Sequence, residues 1–325
     1  MIVRWGLDRY PELLAELGIE RPLLITTRRW DGLALPAAAR FSGSRRHVPR
    51  ETVDEAVAAA AGTDGLVALG GGSAIDTAKA VSAQTGLPVV SVPTTYSGAE
   101  WASGFGVRDE ERGVKVGGRG ARVEGIVYDV ELTLGLPPGE SGGTALNALA
   151  HCAEALYVAG RNPDADREAI AGARLIASSL PRVLADGADR EARRELLEGA
   201  MHAGAALAGA GLGLGHAMAQ ALGGRYGISH GALNAVVLPP ALRFNEPVAG
   251  AEIARFGEAI GAAADVPGRA RELAQLAGFE RLRDLGVPEP ELPVVAEATA
   301  KRAGAKANPR PASPAEITDL LRSVW

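Results

Sequence analysis

Apolar residues follow two different rhythms along the chain. Through the first part, short β-rich runs occur at Leu23–Thr27, Gly65–Leu69 and Pro88–Pro93. Stretches with helical spacing lie between them, such as Arg50–Ala61 and Ser73–Gln84. Strand–helix alternation of this kind predicts a parallel sheet with helices on its faces. The rhythm changes near Pro137-Pro138-Gly139-Glu140-Ser141, beyond which β-branched runs almost vanish. Long alanine- and leucine-rich segments follow at Thr144–Ala159, Pro163–Leu184, Asp189–Leu207, Gly215–Leu222 and Ala251–Ala262. More come at Pro267–Ala277, Pro293–Arg302 and Pro314–Val324. Their spacing predicts a helical bundle. The expected division is an α/β nucleotide-binding domain over residues 1–140 and an all-helical domain over 141–325. No internal repeat or low-complexity linker interrupts either part.

Charge and cysteine content narrow the function classes. The formal net charge is −5 and no basic tract stands out, so phosphate neutralisation along a nucleic acid is not expected. Cys152 is the single cysteine, which rules out an intrachain disulfide and a four-cysteine zinc site. A reducing cytoplasm is the compartment this favours. The segment Met1–Leu14 has no apolar run of the kind a secretion leader needs. No stretch approaches the roughly 18 uninterrupted apolar residues of a membrane helix. Residues 204–222 are apolar, but His216 and Gln220 interrupt them, and they read as a buried helix.

One segment carries a clear chemical signal. Val67-Ala68-Leu69 runs into Gly70-Gly71-Gly72-Ser73, and Ala74-Ile75-Asp76-Thr77-Ala78-Lys79-Ala80 continues as a helix. Glycines let backbone N–H groups come close to a ligand, and the helix N-terminus adds partial positive charge. Together they suit a pyrophosphate; the bland alternative is a tight strand-to-helix turn. The motif is neither a Walker loop nor GxGxxG. A second loop, Pro93-Thr94-Thr95-Tyr96-Ser97-Gly98, follows the Val89–Val92 strand. In open parallel sheets ligands collect beyond the carboxyl ends of strands, where the hydroxyls of Thr94, Thr95 and Ser97 could bond phosphate, ribose or carboxamide. The first strand ends in Arg28 and Arg29 rather than an acid, which tolerates a 2′-phosphate and leaves NADH and NADPH both open.

Histidine is scarce: His47, His151, His202, His216 and His230. Asn147 and His151 lie four apart in a helical segment and share a face. His216 and His230 stand fourteen residues apart in glycine-flanked surroundings. Imidazoles in such a pocket can bind a metal, orient an anion or move protons. A satisfied interior histidine is the alternative for each, and His47 and His202 keep that reading.

These residues carry a resemblance. The chain resembles the iron-containing (group III) alcohol dehydrogenase superfamily, and within it the maleylacetate reductases, over nearly its whole length. Gly70-Gly71-Gly72-Ser73 with Asp76, Lys79 and Ala80 resembles the family's phosphate-binding motif. Pro93–Glu100 resembles its second nucleotide loop. Lys115, Tyr128-Asp129 and Leu132-Thr133 resemble the end of the first domain. Asn147-Ala148-Leu149-Ala150-His151 with Glu154–Tyr157 and Asn162-Pro163 resembles the maleylacetate reductase form, as does Asn308-Pro309-Arg310-Pro311.

The resemblance implies a Rossmann-like α/β domain followed by an all-α domain, the dehydroquinate synthase-like fold. It implies NADH or NADPH held by Gly70, Gly71, Gly72, Ser73, Asp76, Thr94, Thr95, Ser97 and Lys115. It implies reduction of maleylacetate to 3-oxoadipate in aromatic catabolism, with His151, His216, His230 and Lys115 catalytic, in a cytoplasmic homodimer acting on a small molecule. In metal-dependent members an aspartate and three histidines hold iron or zinc; the matching positions here are Asn147, His151, His216 and His230. Asn147 replaces the aspartate, an amide oxygen is a poorer partner for a divalent ion, and no catalytic metal is expected. The sequence also departs from the reductases, which pair two histidines in the second block and add another four residues on. Here Gly215-His216 is followed by Gln220, and Ala232 and Asn234 stand after His230 where an acid and a histidine are common. Three alternatives therefore stand beside the reductase: a metal-dependent alcohol or polyol dehydrogenase, a dehydroquinate-synthase-like lyase, and a catalytically lapsed nucleotide-binding protein.

Overall fold

A computed structural model describes residues 1–325 except 110–113 and 263, and except the side chain of Lys115. The chain divides into two compact units: Met1–Thr95 with Ala99–Gly135, and Tyr96–Gly98 with Leu136–Trp325.

In the first unit, β1 (Ile2–Trp5) leads to helix α1 (Tyr10–Glu16), β2 (Pro22–Ile25) and β3 (Ala39–Phe41). Helix α2 (Arg50–Ala59) precedes β4 (Gly65–Gly70), α3 (Gly72–Thr85) and β5 (Pro88–Pro93). A hairpin of β6 (Phe105–Asp109) and β7 (Val114–Gly118) precedes β8 (Arg122–Tyr128). Six strands form one sheet in the order β1-β8-β5-β4-β2-β3, and every pairing in it is parallel.

The central strands explain themselves by alternation. Side chains point to opposite faces at successive positions. Leu23, Ile25, Leu66 and Ala68 join Val53, Ile75 and Val81 on one face, against α2 and α3. Leu24, Val67, Leu69, Val90 and Val92 join Tyr10 and Leu13 of α1 on the other. A strand covered on both faces reads as a continuous apolar run, as β2 and β4 do. β1, β3, β8 and the hairpin lack such runs, and the sequence pattern did not predict them.

The second unit is helical, with no strand among its described residues. It comprises α4 (Pro138–Ala155), α5 (Pro163–Ala185), α6 (Arg190–Ala210), α7 (Leu214–Tyr226), α8 (His230–Ala259), α9 (Val266–Leu276), α10 (Leu292–Ala300), α11 (Ala303–Ala307) and α12 (Pro314–Ser323). The α/β unit with its parallel sheet and the helical unit are the fold class expected from the sequence. One helix differs from its expected span. α8 begins at His230, not near Ala251, and carries Pro239, Pro240 and Pro247 inside it. Interior proline removes a backbone hydrogen bond, which hid this helix from the pattern; the chain breaks helical geometry only at Ala249. No helix among the described residues is long and apolar enough to cross a membrane.

Candidate active site

The triglycine bend lies at the carboxyl end of β4. Gly70 has φ +149°, a backbone conformation that side chains disfavour. Gly71 caps α3 with no side chain bonded to the helix end. The first N–H groups of α3, including those of Gly72 and Ser73, have no intrahelical acceptor. A Cβ at Gly71 would stand 2.8 Å from Thr95 Cγ2, so the bare backbone keeps a cradle open beside that threonine. The Thr95 hydroxyl is buried without a partner among the described residues, and the Thr94 N–H donates to the Gly70 carbonyl at 3.1 Å. These residues fit a dinucleotide diphosphate.

Asp76 and Lys79 serve the frame around this cradle. Asp76 accepts from the Gly106 N–H at 3.2 Å and pairs with Lys79 at 3.0 Å. Lys79 is buried and donates to the carbonyls of Ala99, Ala102 and Gly104 at 2.8, 3.2 and 2.5 Å. Three carbonyls and a carboxylate satisfy the buried ammonium and pin the loop after β5. Lys115 lies on β7, opposite Arg108, and its side chain falls outside the described residues.

In the second unit, α4, α7 and α8 bring three of the five histidines together. The rings of His151 and His216 stack at 4.7 Å and 19°, and His230 lies 5.7 Å from His216 at 48°. His216 Nδ1–H donates to Glu154 Oε2 at 2.7 Å. The same carboxylate accepts from the N–H groups of Gly213 at 2.7 Å and His216 at 3.1 Å, and so closes the N-terminus of α7. Three donated bonds keep Glu154 an acceptor, which fixes the His216 tautomer. His216 Nε2 is buried and has no partner among the described residues. Glu154 was not singled out as a site residue from sequence. Its signal was a carboxylate within an alanine-rich, apolar helix, where acids are seldom fully buried unpaired.

An amide network borders the stack. Asn147 Nδ2 donates to the Ser97 carbonyl at 3.1 Å and to His151 Nε2 at 3.3 Å. Asn234 Nδ2 donates to Asn147 Oδ1 at 2.7 Å. Burial, then the neighbouring His216 and His230, hold the His151 pKa well below the ordinary histidine value. His151 is therefore a neutral imidazole. Gly98, beside Ser97, has φ +70°, and a Cβ there would meet the Gly204 backbone at 3.2 Å. Of the remaining histidines, His202 pairs with Glu168 at 2.6 Å.

A strand–glycine–helix bend on a parallel sheet, in a chain that also stacks buried imidazoles, fits a nucleotide-linked oxidoreductase. The chain belongs to the iron-containing alcohol dehydrogenase family. Residues 4–123 match the family model for iron-containing alcohol dehydrogenase, and residues 142–325 match that for the C-terminal part of the family. It is 38% identical over 294 residues to a maleylacetate reductase of Burkholderia cepacia, covering 89% of this chain and 82% of that one. It is 37% identical over 330 residues to the maleylacetate reductase of Rhizobium sp. strain MTP-10005, covering 97% and 92%. A crystal structure of maleylacetate reductase from that Rhizobium strain superposes with a TM-score of 0.90 and 33% identity, covering 100% of this chain and 95% of the other. The protein is an NAD(P)-dependent oxidoreductase that resembles the maleylacetate reductases of its family.

The family name implies iron, and the donor set here does not suit it. Asn147 offers an amide where a divalent ion wants a carboxylate. Its Nδ2–H points at His151 Nε2, occupying the lone pair a metal would need, and its oxygen already accepts from Asn234. Among the described residues no three His, Cys, Asp or Glu side chains group as metal ligands.

Proposed function

We propose that this chain reduces maleylacetate, a small unsaturated oxo-diacid, to 3-oxoadipate without a catalytic metal. The observation that carries the reading is His216, clamped through Nδ1 by buried Glu154, with Nε2 unpartnered beside the stacked ring of His151.

The N–H groups of Gly72 and Ser73 and the Thr95 hydroxyl receive the diphosphate of the dinucleotide. Bound there, the reduced nicotinamide supplies a hydride equivalent. Reduction of a double bond conjugated to a carbonyl adds that hydride at one carbon and places negative charge on the oxygen, so the protein must supply a proton and hold the charge. Protonated His216 gives up the proton at Nε2, and Glu154 offsets the imidazolium charge while the proton resides there. His151 stays neutral beside His216. The amides of Asn147 and Asn234 lock its ring in place.

Arg28 is exposed just beyond β2, which supports room for the 2′-phosphate of NADPH as well as for NADH. The lone buried thiol of Cys152 supports a reducing, cytoplasmic setting, and the family resemblance supports a homodimer, which sizing chromatography tests.

The deciding experiment follows nicotinamide oxidation with maleylacetate, simple ketones and aldehydes, with and without a chelator. The expected result is turnover of maleylacetate, unchanged by chelation. Turnover of alcohols or aldehydes that chelation abolishes would replace this reading with a metal-dependent alcohol dehydrogenase. Cofactor binding with no turnover on any substrate would mark a lapsed enzyme.

A further inference from the structure

No acid among the described residues answers one guanidinium near the imidazole cluster. Arg302 lies in the chain between α10 and α11. Its Nη1 donates to Gln220 Oε1 at 3.3 Å. Its Nε is buried and has no partner among the described residues. Burial lowers its pKa from the ordinary arginine value. Gln220 follows His216 by four residues on α7 and so shares its face, one turn along. Gly304 anchors the same segment: a Cβ there would meet the Gly213 carbonyl at 2.5 Å and Ala217 Cβ at 3.5 Å. Arg302 is thereby held against the turn of α7 that presents His216.

Two other arginines of this unit are answered. Arg193 is buried more deeply, yet it donates to the Gly187 carbonyl at 2.5 Å, the Tyr96 hydroxyl at 2.9 Å, the Leu136 carbonyl at 3.3 Å and Ser141 Oγ at 3.4 Å. Arg310 pairs with Glu316 at 2.7 Å. A half-buried guanidinium that keeps one long bond to a neutral amide has given up water without gaining a counter-charge. Nε and Nη2 form the planar fork that matches the two oxygens of a carboxylate.

We infer that Arg302, oriented by Gln220, binds a carboxylate of the substrate and restricts the enzyme to oxo-acids. The inference rests on the imidazole cluster being the substrate site. The chemistry is that of a small dianion: one end bound by the fork, the reacting carbons lying toward His216. Simple alcohols and aldehydes leave the guanidinium unpaired and are disfavoured, because a polar site rejects the analogue lacking its partner.

The test compares wild type with R302Q, R302K and Q220E as full-length proteins. Steady-state kinetics with maleylacetate are combined with calorimetric titration of succinate, a non-reducible dicarboxylate. R302Q is expected to raise KM about 30- to 100-fold, the loss of a charge-assisted bidentate contact, with kcat changed far less. R302K recovers part of the loss, since a point charge remains without the fork. Q220E supplies an internal carboxylate to Arg302; it should fold as well as wild type yet raise KM at least about tenfold and abolish succinate binding. A KM unchanged in both R302Q and Q220E overturns the inference and leaves the reductase reading intact. If wild type does not reduce maleylacetate, that reading fails. Succinate binding lost in R302Q and Q220E would still establish the carboxylate site, whereas equal binding in all proteins, or none in wild type, overturns it.

Discussion

The triglycine bend of the first unit is made of backbone, whereas the imidazole cluster of the second is made almost wholly of side chains. The cradle works through what is missing: no Cβ at Gly71, and helix N–H groups left open at the start of α3. Adding atoms breaks it. The cluster works through paired polar groups inside an apolar bundle, and removing atoms breaks it. Glu154 binds Gly213 and His216, and Asn147 binds Asn234 and His151. A buried polar group stripped of its partner costs more than the bond was worth. The two regions should therefore fail differently under substitution.

The sharpest contrast comes from His216→Ala, which should lower kcat by about 10²- to 10³-fold, the range of a lost general acid. Nicotinamide fluorescence titration should give an unchanged cofactor Kd. If kcat survives, His216 is not the proton donor and the cluster is only structural. Next in size, Gly71→Val should weaken cofactor binding by roughly 30-fold or more by filling the cradle against Thr95, an effect equal to one or two lost charge-assisted bonds. The cap backbone at φ −82° accepts a side chain without strain, so the folded state should persist in circular dichroism. Normal cofactor affinity in that variant would move the diphosphate elsewhere.

Smaller, and more discriminating, is Glu154→Gln. The amide can still accept from His216 but cannot balance an imidazolium, so about a tenfold or greater loss of kcat is expected, by the logic of acid–histidine pairs. An unchanged kcat confines Glu154 to closing the end of α7.

The smallest effect concerns stability. His151 is held neutral by burial, while the unfolded chain takes up a proton there below about pH 6.5. Its contribution is whole above that pH and declines as acidity increases, by up to about 1.4 kcal/mol per pH unit. Melting temperatures between pH 7 and pH 5 should fall less steeply in His151→Gln than in wild type. Parallel slopes would show that His151 does not govern the acid sensitivity.

The same contrast explains what could be read from the chain alone. Strands covered on both faces, such as β4 and β5, announce themselves as apolar runs, and a triglycine after such a run is visible at once. β1 and β8 mix charged residues with apolar ones, and β8 carries Gly125 where a Cβ would crowd Leu13. Their strand character comes from neighbours rather than from their own pattern. The first half of α8 was hidden by Pro239 and Pro240, which are stabilised by burial in the bundle. In the cluster, histidine spacing marked Asn147, His151, His216 and His230 as candidates. The partnership of Glu154 with His216 crosses 62 positions of sequence, and spacing along one helix carries no trace of it. Asn234 was noted only as a departure from a pattern. The structure makes it the donor to Asn147, so both substitutions belong to one amide pair.

Tyr96–Gly98 travels with the helical unit although its flanking residues belong to the sheet unit. The Ser97 carbonyl that receives Asn147 thus comes from a stretch encoded some fifty codons upstream of it. A gene cut after residue 135 would deliver the bundle without that acceptor, leaving an amide hydrogen of Asn147 unmatched. A cut there costs about the 1–3 kcal/mol of one unsatisfied buried donor, so these three loop residues belong with the helical half.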